Sequence, residues 1–174
     1  MIDWILVVVL AAVVILSVGA GYFLAKFLMT GVPFVPTSRT VAKKMVELAK
    51  ISPGTQVYDL GCGNGKILFL ASEYGARCVG YELVRPLVWW AKLKNRLHRK
   101  QITFLCSDFF SADLHDADVI FCYLFPGAMD RFFREKFPEL RPGTKIISHG
   151  FPILELKPMK KVEVGRAKIW VYEK

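Results

Sequence analysis

Val57-Tyr58-Asp59-Leu60-Gly61-Cys62-Gly63-Asn64-Gly65 is the stretch that decides the fold. A short apolar run stops at a glycine-rich turn, and a helical pattern follows it. Such a turn lets a ligand approach the backbone closely and opens toward a helix N-terminus. Spacing separates the ligands that use this geometry. A G-x-G-x-x-G fingerprint counted from Gly61 needs glycine at 66, where the chain has Lys66. A phosphate-binding G-x-x-x-x-G-K-[ST] loop ending at Gly65-Lys66 needs glycine at 60 and Ser or Thr at 67. The chain has Leu60 and Ile67. What fits is D-x-G-x-G-x-G with an acid ending the next strand. Glu82 ends that strand, 82 − 61 = 21 residues after Gly61. A carboxylate there can accept hydrogen bonds from both hydroxyls of a ribose. Asp108, followed by Phe109, ends the third strand and sets a carboxylate and an aromatic face where an adenine would lie.

Outward from this turn the pattern alternates. Thr37 reads as the N-cap of a helix over 38–49. Strands are expected at 56–60, 77–82, 102–106, 118–124 and 145–149, with helices at 65–74, 86–100 and 128–140 between them. The tail, 161–172, alternates around Gly165-Arg166 and reads as a hairpin. Strand–helix alternation predicts an α/β fold with a mostly parallel sheet, wound on both faces.

The N-terminus reads differently. Residues 4–25 carry no charged side chain, and at 1.5 Å per residue a helix of that length spans roughly 33 Å. It is apolar on every face. A cleaved signal peptide would have a basic start and a shorter core, whereas only Asp3 precedes this run. Lys26, Arg39, Lys43 and Lys44 follow it, which predicts a single-pass anchor with the rest of the chain on the cytoplasmic or an equivalent side. The expected organisation is an anchor over 1–28, a linker over 29–37 and a catalytic domain over 38–174.

Composition agrees with that division. The 174 residues are 53% hydrophobic yet carry a net charge of +9. Residues 1–30 hold only Asp3 and Lys26, which cancel, so the remainder carries the whole excess: 23 − 14 = +9. Without the first 30 residues the apolar share falls to about 47%, ordinary for a globular domain. A disordered chain, a multi-span transporter and a disulfide scaffold are excluded. Cys62, Cys78, Cys106 and Cys122 show no CxxC and no histidine at metal-ligand spacing, so reduced thiols and no metal site are expected.

The motif Asp59-Leu60-Gly61-Cys62-Gly63-Asn64-Gly65, with Glu82 and Asp108, resembles that of the S-adenosylmethionine-dependent methyltransferases of the seven-strand class. The resemblance covers residues 53–173. It implies a doubly wound, Rossmann-like sheet in the order 3-2-1-4-5-7-6, preceded here by one transmembrane helix. It also implies S-adenosylmethionine as cofactor, bound by Thr37, Asp59, Gly61, Cys62, Gly63, Gly65, Glu82, Asp108 and Phe109. Enzymes of this class that methylate planar amines carry [DN]-P-P-[YFW] after strand four. Cys122-Tyr123-Leu124-Phe125-Pro126 stands there instead. Three further stretches, Pro33-Phe34-Val35-Pro36-Thr37, Tyr123-Leu124-Phe125-Pro126 and Ser148-His149-Gly150-Phe151-Pro152, look like the small membrane-anchored protein-lysine methyltransferases. Mitochondrial members of that family modify the ATP synthase c-subunit and the adenine nucleotide translocase.

The resemblance therefore implies methyl transfer to a lysine, and Tyr123 and His149 are the candidate catalytic residues by position. Only about ten residues separate the apolar run from Thr37, a reach of about 35 Å at most. A lysine of a membrane protein, presented at the bilayer surface, suits that tether. A membrane-associated small molecule or lipid is the alternative acceptor, and a non-catalytic adaptor is a third reading that the intact motif opposes. Residues 85–100 hold Arg85, Lys92, Lys94, Arg96, Arg99 and Lys100, no acid, and Trp89-Trp90. Two readings stand for that helix: a solvated outer face with one tryptophan in the core, or a contact with an anionic lipid surface, favoured over nucleic acid.

Overall fold

The computed structural model describes residues 4–30 and 35–174. Two compact units divide the chain, Met1–Val35 and Pro36–Lys174. Among the described residues the first holds one helix, α1 (Trp4–Thr30). Its stretch Trp4–Tyr22 is long and apolar enough to cross a membrane, and none of it is buried within the protein. The Gly31-Val32-Pro33-Phe34 portion of the expected linker lies outside the described residues.

In the second unit the elements run α2 (Arg39–Ala49), β1 (Gln56–Leu60), α3 (Lys66–Ser72), β2 (Arg77–Tyr81), α4 (Arg85–Leu97) and β3 (Thr103–Leu105). They continue with β4 (Val119–Cys122), α5 (Pro126–Glu135), β5 (Lys145–His149), β6 (Lys160–Val164) and β7 (Ala167–Glu173). The seven strands form one sheet in the order β3-β2-β1-β4-β5-β7-β6. Only β7 runs antiparallel to its neighbours β5 and β6. This is the expected seven-strand methyltransferase sheet.

Alternation along the strands divides the core in two. Val57, Phe121, Ile147 and Ile169 face one side, with Val41, Met45 and Val46 of α2, Leu68 of α3, and Val88 and Ala91 of α4. Tyr58, Leu60, Ile120, Ile146 and Tyr172 face the other, with Met129 and Phe132 of α5 and Leu114 from the β3–β4 connection. Only a 3-10 turn, Phe109–Ser111, interrupts that connection.

Several element ends differ from expectation for local reasons. Ser38, not Thr37, caps α2: its hydroxyl accepts from the Val41 N–H at 3.3 Å. The expected helix at 128–140 starts at Pro126, whose fixed φ suits a first turn, and ends at Glu135. Pro138, which cannot donate a backbone hydrogen bond, lies in the separate 3-10 turn Phe137–Glu139. β3 is three residues long, so Asp108 does not end it. Asp108 instead caps the 3-10 turn, accepting from the Phe110 N–H at 3.0 Å.

Candidate active site

Register assembles the site. Leu60 pairs with Tyr81 on one side and Cys122 on the other, and Cys122 pairs with Ser148. The residues that follow, Gly61, Glu82, Tyr123 and His149, therefore line the same C-terminal edge of the sheet. The strand order reverses between β1 and β4 at this edge, which opens a crevice where such folds bind ligands.

The β1 turn is shaped by glycine. Gly61 has φ +84°, and an added Cβ would meet no atom within 4 Å. The conformation requires glycine, and the space over it is open to a ligand. Gly65, φ +77°, is different: its Cβ would lie 2.6 Å from the Phe104 ring, so that position is packed rather than open. The Gly61 and Cys62 N–H groups both donate to the Tyr81 carbonyl at 2.9 Å, tying the turn to β2. Cys62 is buried, and its thiol is pushed well above its usual range by burial, with Asp59 and Glu82 adding to the effect.

β2 ends at Tyr81, so Glu82 follows the strand rather than ending it, and it does more than mark the strand's edge. Its Oε2 accepts from the Gly63 N–H at 2.9 Å, and its Oε1 accepts from the Leu83 and Val84 N–H groups at 2.8 and 2.9 Å. A carboxylate has about four acceptor positions, so roughly one remains, on Oε2. Asp59 is buried behind the turn, and no described residue hydrogen-bonds its carboxyl. Burial, with the charge of Glu82 second, pushes its pKa up to about 8. Phe109 is half-buried and stacks against Phe110 with centroids 4.2 Å apart.

Across the crevice, His149 is buried, and burial holds its pKa below the usual histidine value, which favours the neutral imidazole. Its Nδ1 lies 3.3 Å from the Thr37 hydroxyl. The Tyr123 ring packs on the His149 ring with centroids 4.1 Å apart. Phe125 and Phe151 extend the aromatic wall, 6.4 and 6.2 Å from Tyr123 and 5.1 Å from each other.

The expected residues thus fall in two groups. Gly61, Cys62, Gly63, Gly65 and Glu82 form a single hydrogen-bonded turn, with Asp59 of β1 buried behind it. Thr37, Tyr123 and His149 form a second cluster. Asp108 and Phe109 stand further along the chain on the 3-10 turn, with Asp108 exposed. Three contributors escaped the sequence reading. The Lys66 ammonium donates to the Thr37 carbonyl across 29 residues of chain, a pairing with no local signal. The Phe125–Phe151 pair joins two loops. Gly150, φ +83°, lets the β5 loop pass Tyr123, whose ring would lie 2.5 Å from an added Cβ. The His-Gly-Phe sequence was the available sign.

An open left-handed glycine, a carboxylate just after β2 with acceptor capacity left and a buried carboxyl that no described residue hydrogen-bonds make a cradle for a nucleoside's ribose hydroxyls. Comparison with known proteins decides which nucleoside. The ANTKMT methyltransferase domain matches residues 59–160, more than half of the chain. The chain belongs to the ANTKMT methyltransferase family. It is an S-adenosylmethionine-dependent methyltransferase, and the cradle residues fit that cofactor. Among relatives of known activity, a protein-lysine N-methyltransferase of Saccharolobus islandicus is 32% identical, over 81% of this chain and 91% of its own length. The adenine nucleotide translocase lysine N-methyltransferase of mouse is 29% identical, over 82% of this chain. This chain spans only 63% of that longer relative. Among solved structures, an RNA methyltransferase from Salinibacter ruber in complex with S-adenosyl-L-homocysteine superposes with a TM-score of 0.77 at 32% identity. The match covers 80% of this chain and 93% of that one.

Proposed function

We propose that the chain transfers the methyl group of S-adenosylmethionine to the side-chain amine of a lysine, carried by a protein at a membrane surface. The observation that carries the reading is the cluster of Thr37, Tyr123 and His149 at the strand edge that also holds the glycine turn. The Saccharolobus and mouse relatives, both named as lysine methyltransferases, support the acceptor.

In this reading Gly61, Gly63 and Gly65 shape the turn that admits the cofactor, with Cys62 buried beneath it. Glu82 holds the ribose while fixing the turn, Asp59 faces the cofactor's positive charge, and Asp108 and Phe109 flank the adenine. S-adenosylmethionine supplies a methyl group on a positively charged sulfur. The protein's task is then to present a neutral amine in line with it. A lysine in water is protonated, so the site must favour loss of that proton. The wall of Tyr123, Phe125 and Phe151 excludes water from the amine. Neutral His149, oriented by the Thr37 hydroxyl, accepts the proton directly or through water. Lys66 holds the Thr37 segment in place by its backbone carbonyl.

The membrane part of the proposal rests on α1. Its apolar length suits a bilayer, and the flanking Lys26, Arg39, Lys43 and Lys44 suit a cytoplasmic or equivalent placement of the catalytic unit. The short chain over 31–38 would keep the catalytic unit near the surface.

Labelled S-adenosylmethionine incubated with the full chain and membranes tests the acceptor class. The reading expects label in protein, resistant to nuclease and to lipid extraction. Label extracted with lipid would establish the lipid alternative instead. Label lost to nuclease would point to RNA, the acceptor class named for the Salinibacter structure.

A further inference from the structure

Helix α4 turns its apolar stripe the wrong way for a soluble helix. Val88 and Ala91 are buried against the sheet, and the Asn95 amide bonds the Ile102 carbonyl at 2.8 Å. These residues mark the inner face. On the opposite face, at helical spacing, stand Trp89, Trp90, Leu93 and Leu97. Trp89 is 68% exposed, Trp90 49% and Leu97 71%. The reading of a solvated face with one tryptophan in the core is therefore corrected: Ala91 and Val88 fill that place, and both indoles face water. Arg85, Lys92 and Arg96 run along one flank of the stripe, and all three are exposed. Lys94, on the other flank, folds back over the Phe69 ring at 4.7 Å. Arg99 and Lys100 follow the helix, and no acid occurs anywhere in 85–100.

Leaving two indoles and a leucine in water is unfavourable, so the face requires an occupant. A second copy packed face to face would bring the two cationic flanks together, which opposes self-association. Single-stranded nucleic acid would use the indoles and the cations, but the stripe continues in Leu93 and Leu97, which offer no face for base stacking. An anionic bilayer surface uses every part: indoles at headgroup depth, leucines against the acyl boundary and cations on the phosphates. The chain also carries α1, a helix of bilayer length.

We infer that the outer face of α4 is a second membrane contact, which lays the catalytic unit on an anionic lipid surface through Trp89, Trp90, Leu93 and Leu97, flanked by Arg85, Lys92 and Arg96. It rests on α1 being inserted in the same bilayer. The contact orients the catalytic unit, where α1 alone would only tether it.

The test uses the full chain reconstituted in vesicles of phosphatidylcholine, with or without phosphatidylglycerol. The lipids carry bromine near the headgroup to quench indole fluorescence. Wild type should lose markedly more emission than the Trp89→Phe/Trp90→Phe variant in anionic vesicles, and the difference should shrink in high salt or without phosphatidylglycerol. Neutralising Arg85, Lys92 or Arg96 to Gln should weaken docking about fivefold per charge. Equal quenching in wild type and the double variant would overturn the contact. So would a blue shift that grows with protein density without bromine quenching, which means a second copy, or indole quenching by added RNA but not by lipid. Flotation of the same sample separates the two layers of the argument. A chain that floats with unquenched Trp89 and Trp90 refutes the α4 contact alone, and a chain that fails to float refutes the anchor and the contact together.

Discussion

Glu82 fixes the glycine turn and is the ribose acceptor in the proposed function, so its removal should be felt in both roles. Glu82→Ala leaves the Gly63, Leu83 and Val84 N–H groups without their carboxylate. Hydrogen bonds to a charged group contribute about 1.5–3 kcal/mol each, so titration calorimetry should show cofactor affinity lowered by about a hundredfold or more. The turn's glycines should separate stability from binding. Gly61→Ala meets open space, so it costs only the left-handed backbone strain, about 1–2 kcal/mol in denaturant unfolding, while it blocks the cofactor. Gly65→Ala must also displace the Phe104 ring and should cost more stability than Gly61→Ala. His149 gives a pH signature. Burial lowers its pKa from 6.5, so the folded protein binds this proton less readily than the unfolded chain. Its contribution to stability is full above 6.5 and is lost as pH falls through the lowered folded value. Activity should fall over the same acid range as the imidazole charges. His149→Asn should lose about a hundredfold in kcat and lose that acid limb from the rate profile.

At the scale of elements, capping and strand register do most of the positioning. Ser38→Ala removes the hydroxyl that caps α2 and should destabilise the fold by about 1 kcal/mol in urea unfolding, whereas Thr37→Ala should spare stability and lower activity. That contrast also marks how far the sequence could be read. The two hydroxyls are adjacent, and only in the folded unit do they part, Ser38 capping α2 while Thr37 reaches His149. The order of the strands came only with the family resemblance of the motif, whereas the strand–helix alternation and the glycine turn were legible because both are local signals. So were Glu82, Tyr123 and His149, which simply follow apolar runs. The Lys66–Thr37 bond, the Phe125–Phe151 wall and the outward rotation of α4 were not legible, because each depends on elements that meet only in the folded unit. For α4 the apolar stripe itself was visible in the pattern. An apolar stripe is ordinarily the buried one, and here Val88 and Ala91 take the core instead, leaving the larger side chains outside.

For the whole molecule, two features of composition have separate physical homes. The high hydropathy belongs to α1, whose stretch Trp4–Tyr22 is long and apolar enough to cross a membrane. The charge of +9 belongs to the catalytic unit, where α4 concentrates cations without acids. In the proposed function, a bilayer holds the acceptor beside the catalytic unit. The most direct measurement of this account is mass spectrometry of membrane proteins incubated with the full chain and S-adenosylmethionine, compared with the same incubation using the Glu82→Ala variant. The account predicts a membrane protein with a lysine heavier by methyl increments in the first sample and unmodified in the second. Membrane proteins unmodified in both samples, with the methyl group recovered in lipid or RNA, would contradict it.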